Sequence, residues 1–528
     1  MSRFDWLSEL LARFEDEHIL VRRGWARRLA PAHLLQIDAE DWGKAAAEAA
    51  TFGCRWAGLW GEHLEEEIQV NACLVFKGDY LVLRTEVPAG EPLLPSHTPH
   101  FPGADRLERH AQDLLGLAFG DHPDERRWTR HLAWQEDEYP LRRDFPVQGH
   151  AGGETPPDGE YPFRAVLGSG VYEIPVGPVH AGIIEPGHFR FSAVGERVIR
   201  LEQHLGYVHK GIEKIAVGRD AEGVVRLAGR ISGDSTVAHA WAACQALERA
   251  CGVQPPERAD FLRALFCERE RVANHLGDIG AICNDVGFAF ALQQFHRLRE
   301  IWSRRSGERF GHRMMMDRLV PGGVAVDLDR GAAETLRTDH QALRTELERL
   351  YDILTDHPSL EDRLLGTGRL SAETARALGC TGYVGKASGQ PCDIRHHSPY
   401  APYQRLEVRP AVREEGDVMA RMQVRMEEIL ESLRLMDELL ALLPGGEVRA
   451  PFHHPGKACE GLGMVDGWRG EILTYVRLDA EGRLAHFFPR DPSWFTWPAL
   501  ERIQLGNIVP DFPVCNKSVN GSYSGGDL

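Results

Sequence analysis

The sequence predicts an α+β protein, with a small N-terminal α/β domain followed by a long helical bundle that is entered through a strand hairpin. Three observations predict this class: a strand pair at 75–85, a second strand pair at 189–201, and helical spacing of apolar residues at 260–282 and 418–443. The 528 residues are too many for one ordinary domain, so we expect two or three domains.

The N-terminal domain is predicted from a hairpin and a helix. Residues 75–76 and 80–85 flank a Lys-Gly-Asp turn, which is a typical signal of two paired strands. Residues 105–117 repeat apolar side chains at helical spacing, so we expect a helix there. We assign this domain to residues 1–146.

A linker is predicted between the two domains. Residues 147–160 are rich in Gly and Pro and contain few large apolar side chains, which is typical of linkers. The second domain then spans 161–528. It begins with strands at 189–194 and 198–201, continues as the helical bundle, and returns to strand-like alternation at 470–476.

The composition argues against nucleic-acid binding and against membrane insertion by this chain. A formal net charge of −17 opposes the counterion release that drives binding to a phosphate backbone. No stretch reaches the roughly 18 uninterrupted apolar residues of a spanning helix, and the first residues lack a secretory pattern. We therefore expect a cytoplasmic chain whose contact with the membrane is made by partner subunits.

The cysteines and glycines argue against redox cofactors bound by this chain. None of the ten cysteines forms a Cys-x-x-Cys pair, so we interpret most of them as small buried hydrophobic residues. No Gly-x-Gly-x-x-Gly follows a predicted strand. We expect that NAD and iron–sulfur clusters, where the assembly uses them, are bound by partner subunits.

The second domain carries long motifs in a fixed order. They lie at 177–180, 185–190, 206–214, 268–278, 318–324, 393–395, 399–400 and 467–471. On these residues the chain resembles the large subunit of energy-converting nickel–iron hydrogenases of the formate hydrogenlyase type, and the similar 49-kDa-type subunit of respiratory complex I. Residues 113–127 and 140–146 resemble the 30-kDa-type subunit of complex I, which formate hydrogenlyase large subunits carry as the same fusion. The resemblance implies the fold of a hydrogenase large subunit.

The chain departs from this family at the metal ligands. The resemblance implies four cysteine thiolates that hold nickel and iron, but the ligand positions are Ser232, Ser235, Ser522 and Gly525. A serine hydroxyl is a hard, un-ionised donor that cannot replace a bridging thiolate. A competing register would use Cys515 and still leave three positions without sulfur. We therefore expect no metal site, and we expect no cleavable tail of the hydrogenase kind after the second motif.

Complex I lost the same cysteines, and the resemblance implies that the emptied pocket takes a quinone headgroup. That family uses a His in the first hairpin loop and a Tyr in the first motif. This chain keeps His180, has Gly233 at the Tyr position, and has Ile184 and Glu185 near the place of a second His. His180 and Glu185 are the candidate catalytic residues because both can exchange protons. The alternatives are a loop histidine bonded to backbone and a surface carboxylate.

The emptied pocket is predicted to be polar. Its predicted lining residues are Ser232, Asp234, Ser235, His239, Asp393, Arg395, Ser522 and Tyr523. The functional interpretation is a pocket for a small polar redox partner. The alternative is a collapsed site whose polar groups satisfy one another. The alternatives are a satisfied core histidine, which we favour for His239, and a structural ion pair or cap for Asp393 and Arg395.

Two functions remain open from the sequence. The first is a subunit of a membrane-associated oxidoreductase complex on the inner face of the cell membrane. It would pass electrons from an iron–sulfur small subunit to a quinone or a similar acceptor, with antiporter-like membrane subunits as further partners. The second is a non-catalytic scaffold with a vestigial pocket. An active hydrogenase is the least favoured function because the thiolates are missing.

Overall fold

The computed structural model describes residues 5–22, 28–130, 134–135, 137–150, 161–181 and 184–528. Its architecture confirms the predicted α+β class. The N-terminal domain is built on a five-stranded sheet in the order β1-β2-β5-β4-β3, in which the β2–β5 pair is parallel and the other pairs are antiparallel. The strands are Arg28–Leu29 (β1), Ala32–Gln36 (β2), Arg55–Leu64 (β3), Glu67–Phe76 (β4) and Asp79–Pro88 (β5).

Helices and one short strand pair complete the N-terminal domain. They are Asp5–Asp16 (α1), Trp42–Phe52 (α2), Asp105–Leu115 (α3), Leu93–Pro95 (β6) and Ala118–Gly120 (β7). The predicted hairpin is formed by β4 and β5. Helix α3 confirms the helix predicted at 105–117. It ends at Gly116, whose φ of 73° lies in the left-handed region that favours glycine.

The second domain begins with a three-stranded antiparallel sheet. Its strands are Val171–Val176 (β8), His188–Val194 (β9) and Arg197–His204 (β10), in the order β10-β9-β8. The predicted hairpin is β9–β10. The sequence does not predict β8, because the side chains of this strand are exposed or half-buried and give no apolar signal. Residues 151–160 of the predicted linker lie outside the described residues, so the domain boundaries stay a prediction.

A helical bundle forms the body of the second domain. Its helices are Ile212–Ala216 (α4), Ala221–Ala228 (α5), Thr236–Cys251 (α6), Glu257–Asp285 (α7), Ala289–Phe310 (α8), Arg330–Thr355 (α9), Pro358–Leu364 (α10), Ala372–Ala377 (α11), Gly382–Lys386 (α12), Ile394–His397 (α13) and Val418–Leu442 (α14), with a small hairpin of Leu319–Val320 (β11) and Gly323–Val324 (β12). Helices α7 and α14 pack together and confirm the two long helices predicted at 260–282 and 418–443. None of the helices in the described residues is both long and apolar enough to span a bilayer.

The C-terminal part returns to strands, as predicted at 470–476. Its elements are Cys459–Gly467 (β13), Gly470–Leu478 (β14), Leu484–Arg490 (β15), Ser493–Ile503 (α15), Phe512–Val519 (α16) and Tyr523–Asp527 (α17). The three strands form one antiparallel sheet. Strand β13 packs along α6, so the first turn of α6 and the turn after β13 come to the same place. The candidate site lies there.

The N-terminal sheet packs on the β13–β15 sheet. Trp60 of β3 stacks on Phe488 of β15 with the ring centroids 5.5 Å apart. Glu471 Oε2 accepts hydrogen bonds from Arg55 Nη2 at 2.5 Å and from the Tyr80 hydroxyl at 2.9 Å. The two domains therefore share a core, and the strand that carries Glu471 begins at the turn beside the site.

Candidate functional site

The two serine motifs that the sequence analysis predicts at the ligand positions of the family meet in space. Ser232 Oγ lies 2.9 Å from Ser522 Oγ, although the two residues are 290 positions apart. Ser232 precedes the short 3₁₀ helix that leads into α6. Ser522 caps α17, because its Oγ accepts the Gly525 N–H at 2.9 Å. The structure thus brings Ser522 to Ser232, while Cys515 lies within α16.

An ion pair between Asp234 and Arg469 stands beside the serines. Both terminal nitrogens of Arg469 donate to the Asp234 carboxylate at 2.7 Å, and Ser232 Oγ donates to it at 2.6 Å. Arg469 Nη1 also reaches Ser235 Oγ at 3.3 Å. Burial raises the pKa of the Asp234 carboxyl, but Arg469 and Ser232 together outweigh it, so the pKa is lowered. The Asp234 side chain remains 31% exposed, so a bound molecule can reach it.

A second pair, which is fully buried, joins α6 to the residue that follows β15. His239 Nε2 lies 2.8 Å from Asp491 Oδ2, and neither side chain is exposed to solvent. Burial would raise the pKa of Asp491, but the hydrogen bond from His239 and the nearby Arg469 charge hold it at about 2. Asp491 also accepts the Ser493 N–H at 2.8 Å. His239 is therefore a bonded core histidine that borders the site.

Gly525 is the position at which the sequence resemblance implies a fourth thiolate. A Cβ atom at this position would lie 2.8 Å from Asp491 Cγ and 3.0 Å from Ser522 Cβ. Real Cβ atoms do not approach other atoms so closely, so a larger residue would have to displace the Asp491 carboxylate. The Asp491 carboxylate therefore fills space that a larger side chain at this position would need.

The two candidate catalytic residues lie in the loop between β8 and β9. His180 Nε2 is 2.8 Å from the Gly187 carbonyl oxygen, which makes His180 a loop histidine bonded to backbone. The exposed Glu185 contacts the site, because its Oε2 accepts the Ser524 N–H at 3.1 Å. A Cβ at Gly187 would lie 2.5 Å from the Tyr523 ring, so the loop packs directly on the C-terminal motif.

Tyr523 and Ser524 complete the C-terminal side of the site. The Tyr523 ring lies against Trp497 with centroids 4.6 Å apart, and burial raises the pKa of its hydroxyl to about 12. Ser524 Oγ is 3.4 Å from Ser522 Oγ. The hydroxyls of Ser524, Ser522 and Ser232 therefore form a series that ends on the Asp234 carboxylate.

Asp393 and Arg395, predicted to line the pocket, belong to a buried ion network inside the bundle. Arg395 donates to Asp393 at 2.7 Å and to Glu268 at 2.9 Å, and Lys386 bridges Asp393 to Glu428 with two contacts of 2.7 Å. In the described part of the chain, neither residue is hydrogen bonded to the site serines. The arrangement matches the alternative interpretation of a structural ion pair.

Two acidic residues near the site are not predicted from the sequence. Glu270 of α7 accepts the N–H groups of Val237 and Ala238 at 2.7 and 3.1 Å, and burial raises its pKa to about 8. Asp527 accepts the N–H groups of Gly206 and Val208 at 2.8 and 3.0 Å, and burial raises its pKa to about 7. Both carboxyls hold backbone segments that border the site.

The unpredicted site residues have weak sequence signals. Arg469 lies in the motif at 467–471 that carries the resemblance, but nothing in its neighbours indicates a partner 235 positions away. Asp491 follows a strand without any recognisable motif. Glu270 lies in the motif at 268–278, where its charge looks like that of an ordinary helix face. Their roles depend on long-range packing, which local patterns do not report.

Three family models match this chain. The respiratory-chain NADH dehydrogenase 30 Kd subunit matches residues 33–151 and its 49 Kd subunit matches residues 285–461. The nickel-dependent hydrogenase model matches residues 210–277, which include the first serine motif. The order of the matches agrees with the fusion that the sequence motifs predict.

Curated relatives and a solved structure match along most of the chain. Formate hydrogenlyase subunit 5 of Escherichia coli (strain K12) is 33% identical over 84% of this chain and 79% of its own length. An NADH-quinone oxidoreductase subunit of Bacteroides fragilis is 30% identical over 84% of this chain and 85% of its own. A chain of the membrane-bound sulfane sulfur reductase, an archaeal respiratory membrane complex, superposes with a TM-score of 0.64 at 26% identity, covering 69% of this chain and all of its own length.

Proposed function

Because this chain belongs to the family that includes formate hydrogenlyase subunit 5 and the matched NADH-quinone oxidoreductase subunit, we propose that it is the acceptor-reducing subunit of a membrane-associated oxidoreductase complex. Electrons would reach a quinone or a similar acceptor at this subunit without a nickel–iron centre. An iron–sulfur small subunit and antiporter-like membrane subunits would be its partners and would hold it on the inner face of the membrane. NAD and iron–sulfur clusters would be bound by those partners.

The hydrogen bond between Ser232 and Ser522 is the observation that carries this proposal. At the thiolate positions of the family, these hydroxyls bond to each other at 2.9 Å. Hard, un-ionised hydroxyls do not bridge nickel and iron. Gly525 leaves no room for a ligand side chain, because Asp491 fills that space. The residues present do not fit a nickel–iron pair, so the chemistry proposed for this site is proton-coupled reduction of a bound organic acceptor.

The site offers the groups that such a reduction needs. A quinone takes up two electrons and two protons to become a quinol, so the site must supply protons to oxygen atoms. The serine series of Ser524, Ser522 and Ser232 leads from the loop that carries the exposed Glu185 to the Asp234 carboxylate. Hydroxyls can pass protons by rotation because each is both a donor and an acceptor.

Arg469 makes the site favourable to negative charge on a bound molecule. Its guanidinium is held against Asp234 by two bonds of 2.7 Å and is 5% exposed, so its position is fixed before any molecule binds. A fixed positive group next to a reacting oxygen stabilises the negative charge that develops there. In this proposal Arg469 orients the acceptor, and Asp234 receives protons from Ser232 and passes them to the acceptor.

The scaffold function stays as the second candidate because one observation favours it. The serine hydroxyls are already bonded to one another and to Asp234, and Asp234 accepts two hydrogen bonds from Arg469. A site whose polar groups satisfy each other needs no ligand for its stability. The two candidates therefore differ in one measurable property, which is saturable binding of a quinone analogue.

The complex isolated with its partner subunits provides the test. We expect saturable binding of a water-soluble quinone analogue and its reduction by a dithionite-reduced viologen, with both weakened at least ten-fold by Asp234→Asn. Asp38→Asn is the matched control, because Asp38 also pairs with an arginine, Arg22, but on the surface of the N-terminal domain. Absence of saturable binding favours the scaffold. Stoichiometric nickel with hydrogen evolution would overturn the proposal.

A further inference from the structure

The packing of α6 against β13 brings two backbones unusually close. A Cβ at Gly461 would lie 2.1 Å from the Ala246 carbonyl oxygen and 2.8 Å from the Ala250 nitrogen. A Cβ at Gly463 would lie 1.9 Å from the Ala242 carbonyl oxygen. The glycines of the strand therefore lie directly on the alanine stripe of the helix, and other residues on the same strand face must meet the helix nearby.

This packing brings Cys459 to Cys251. Alternate residues of a strand share a face, so Cys459 lies on the same face as Gly461 and Gly463, at the start of β13. Cys251 is the last residue of α6 and follows Ala250. The two thiols are hydrogen bonded to each other, and both are half-buried rather than sealed in the core.

We propose that Cys251 and Cys459 form a disulfide modification site that fastens the C-terminal end of α6 to the start of β13. Three of the ten cysteines are half-buried, and two of these three form this pair. Both residues are therefore partly accessible to solvent, which exchange with a small disulfide requires. The partner chemistry is a low-molecular-weight disulfide such as oxidised glutathione, which is reduced to two thiols as the pair is oxidised.

The exchange proceeds in two balanced steps. The Cys459 thiolate attacks one sulfur of the small disulfide, forming a mixed disulfide and releasing one thiolate. The Cys251 thiolate then displaces the second small thiolate from Cys459 and completes the intrachain bond. The two protons lost by the cysteines pass to the two released thiolates. No other oxidant is required.

Cys459 is assigned as the attacking residue because of its surroundings. Burial raises the pKa of both thiols, that of Cys251 to about 12. The hydrogen bond donated by Cys251 and the charge of Lys457 act in the opposite direction on Cys459 and favour its thiolate. Exchange should therefore be slow near neutral pH and should accelerate as the pH rises.

The pair lies at the far end of two elements that carry site residues. Helix α6 begins next to Ser235 and holds His239 in its first turn. Strand β13 ends at Gly467, two residues before Arg469. A bond between Cys251 and Cys459 would fix the helix and the strand relative to each other, and so would limit movement of His239 against Arg469. This consequence does not depend on the acceptor proposed above.

Peptide mapping of the intact complex tests the proposal. After incubation with oxidised glutathione, we expect the chain to lose two hydrogen atoms and to yield one disulfide-linked peptide pair that contains Cys251 and Cys459. Cys392→Ser is the matched control, because Cys392 is the third half-buried cysteine, and this variant should form the same bond. An unlinked wild-type chain, or linkage through other cysteines, would overturn the proposal.

Single variants test the order of the steps. Cys251→Ser should gain one glutathione on Cys459 and keep it, because no second thiol can displace it. This labelling should be at least ten-fold faster than the labelling of Cys251 in Cys459→Ser. Cys251→Ala, which lacks the hydrogen-bond donor as well as the thiol, should label Cys459 more slowly than Cys251→Ser does, because only the charge of Lys457 then favours the thiolate. Equal rates, or faster labelling of Cys251, would contradict the assignment of Cys459 as the attacking residue.

Discussion

Ser232 Oγ and Ser522 Oγ form a direct hydrogen bond of 2.9 Å between two motifs that lie 290 residues apart. Each hydroxyl has a second partner, since Ser232 donates to Asp234 and Ser522 accepts the Gly525 N–H. The contact therefore joins the segment before α6 to the C-terminal helix α17. Its removal should affect both the stability of the C-terminal segment and the passage of protons.

Ser522→Ala should slow reduction of the acceptor by at least about ten-fold, because it interrupts the hydroxyl series between Ser524 and Ser232. It should also cost about 1–3 kcal/mol of unfolding free energy, since the Gly525 N–H loses its acceptor. Turnover with an artificial donor and urea unfolding measure the two effects separately.

Ser518→Ala is the control for this substitution. Ser518 is a fully buried serine of α16 whose hydroxyl bonds to the Cys515 carbonyl and to Arg421, outside the series. It should lose a similar amount of stability and keep its turnover. Equal loss of turnover in both variants would mean that the serine series does not carry protons.

The local elements can be predicted from the sequence and the site contacts cannot. Helix α7 and the β9–β10 hairpin have recurring apolar residues at helical or strand spacing, so their types are predicted correctly. The resemblance supplies the serine positions, and the structure brings Ser232 and Ser522 together. The Asp234–Arg469 pair depends on how α6 packs on β13, which no short window of sequence encodes.

Long-range packing also explains where the predicted lining residues Asp393 and Arg395 lie. Asp393 and Arg395 carry charges that suit a pocket, but the buried Lys386 and Glu268 pair with them more directly. A buried charge needs a partner at hydrogen-bonding distance, so such residues form a closed network wherever the fold supplies one. The sequence contains the charges but not the distances that select their partners.

Gly525→Ala should destabilise the protein by about 1–3 kcal/mol, because the new Cβ would lie 2.8 Å from Asp491 Cγ. Gly233→Ala is the matched control, since it lies in the other degenerate motif and its Cβ would meet nothing within 4 Å. The control should change the unfolding free energy by less than about 0.5 kcal/mol. Similar losses in both variants would show that crowding at Asp491 is not the cause.

The contribution of Asp491 to the free energy of unfolding should depend on pH. Its folded-state pKa of about 2 lies below the ordinary value of 3.8, so its contribution is present above pH 4 and is lost as the pH falls through 2. The shift corresponds to about 2 kcal/mol. In urea unfolding measured between pH 5 and 2, Asp491→Asn should lose less stability on acidification than the wild type does.

Asp527 is the control, because its contribution to stability should change with pH in the opposite direction. Its pKa is raised to about 7, so the folded state favours the protonated form, and stability should fall as the pH rises from 4 to 7. Asp527→Asn should make that fall smaller, the remainder coming from other buried carboxyls such as Glu270, and should leave the acid limb of the curve unchanged. If Asp491→Asn and Asp527→Asn flatten the dependence of stability on pH over the same pH range, the assignment of the two parts of this curve to these two carboxyls is wrong.

Glu471→Gln should weaken the packing between the two domains and should cost more unfolding free energy than any single substitution on the surface. The Glu471 carboxylate is buried and accepts from Arg55 and Arg490 at 2.5 Å and from Tyr80 at 2.9 Å. Neutralising it leaves the buried Arg490 and the half-buried Arg55 without this counter-charge, which costs about 3–5 kcal/mol. Glu460→Gln breaks a pair with Arg84 at the same interface, but that carboxylate is 24% exposed and its loss should cost less. Urea unfolding of the two variants measures the difference, and an equal cost would mean that burial of Glu471 does not control the packing of the domains.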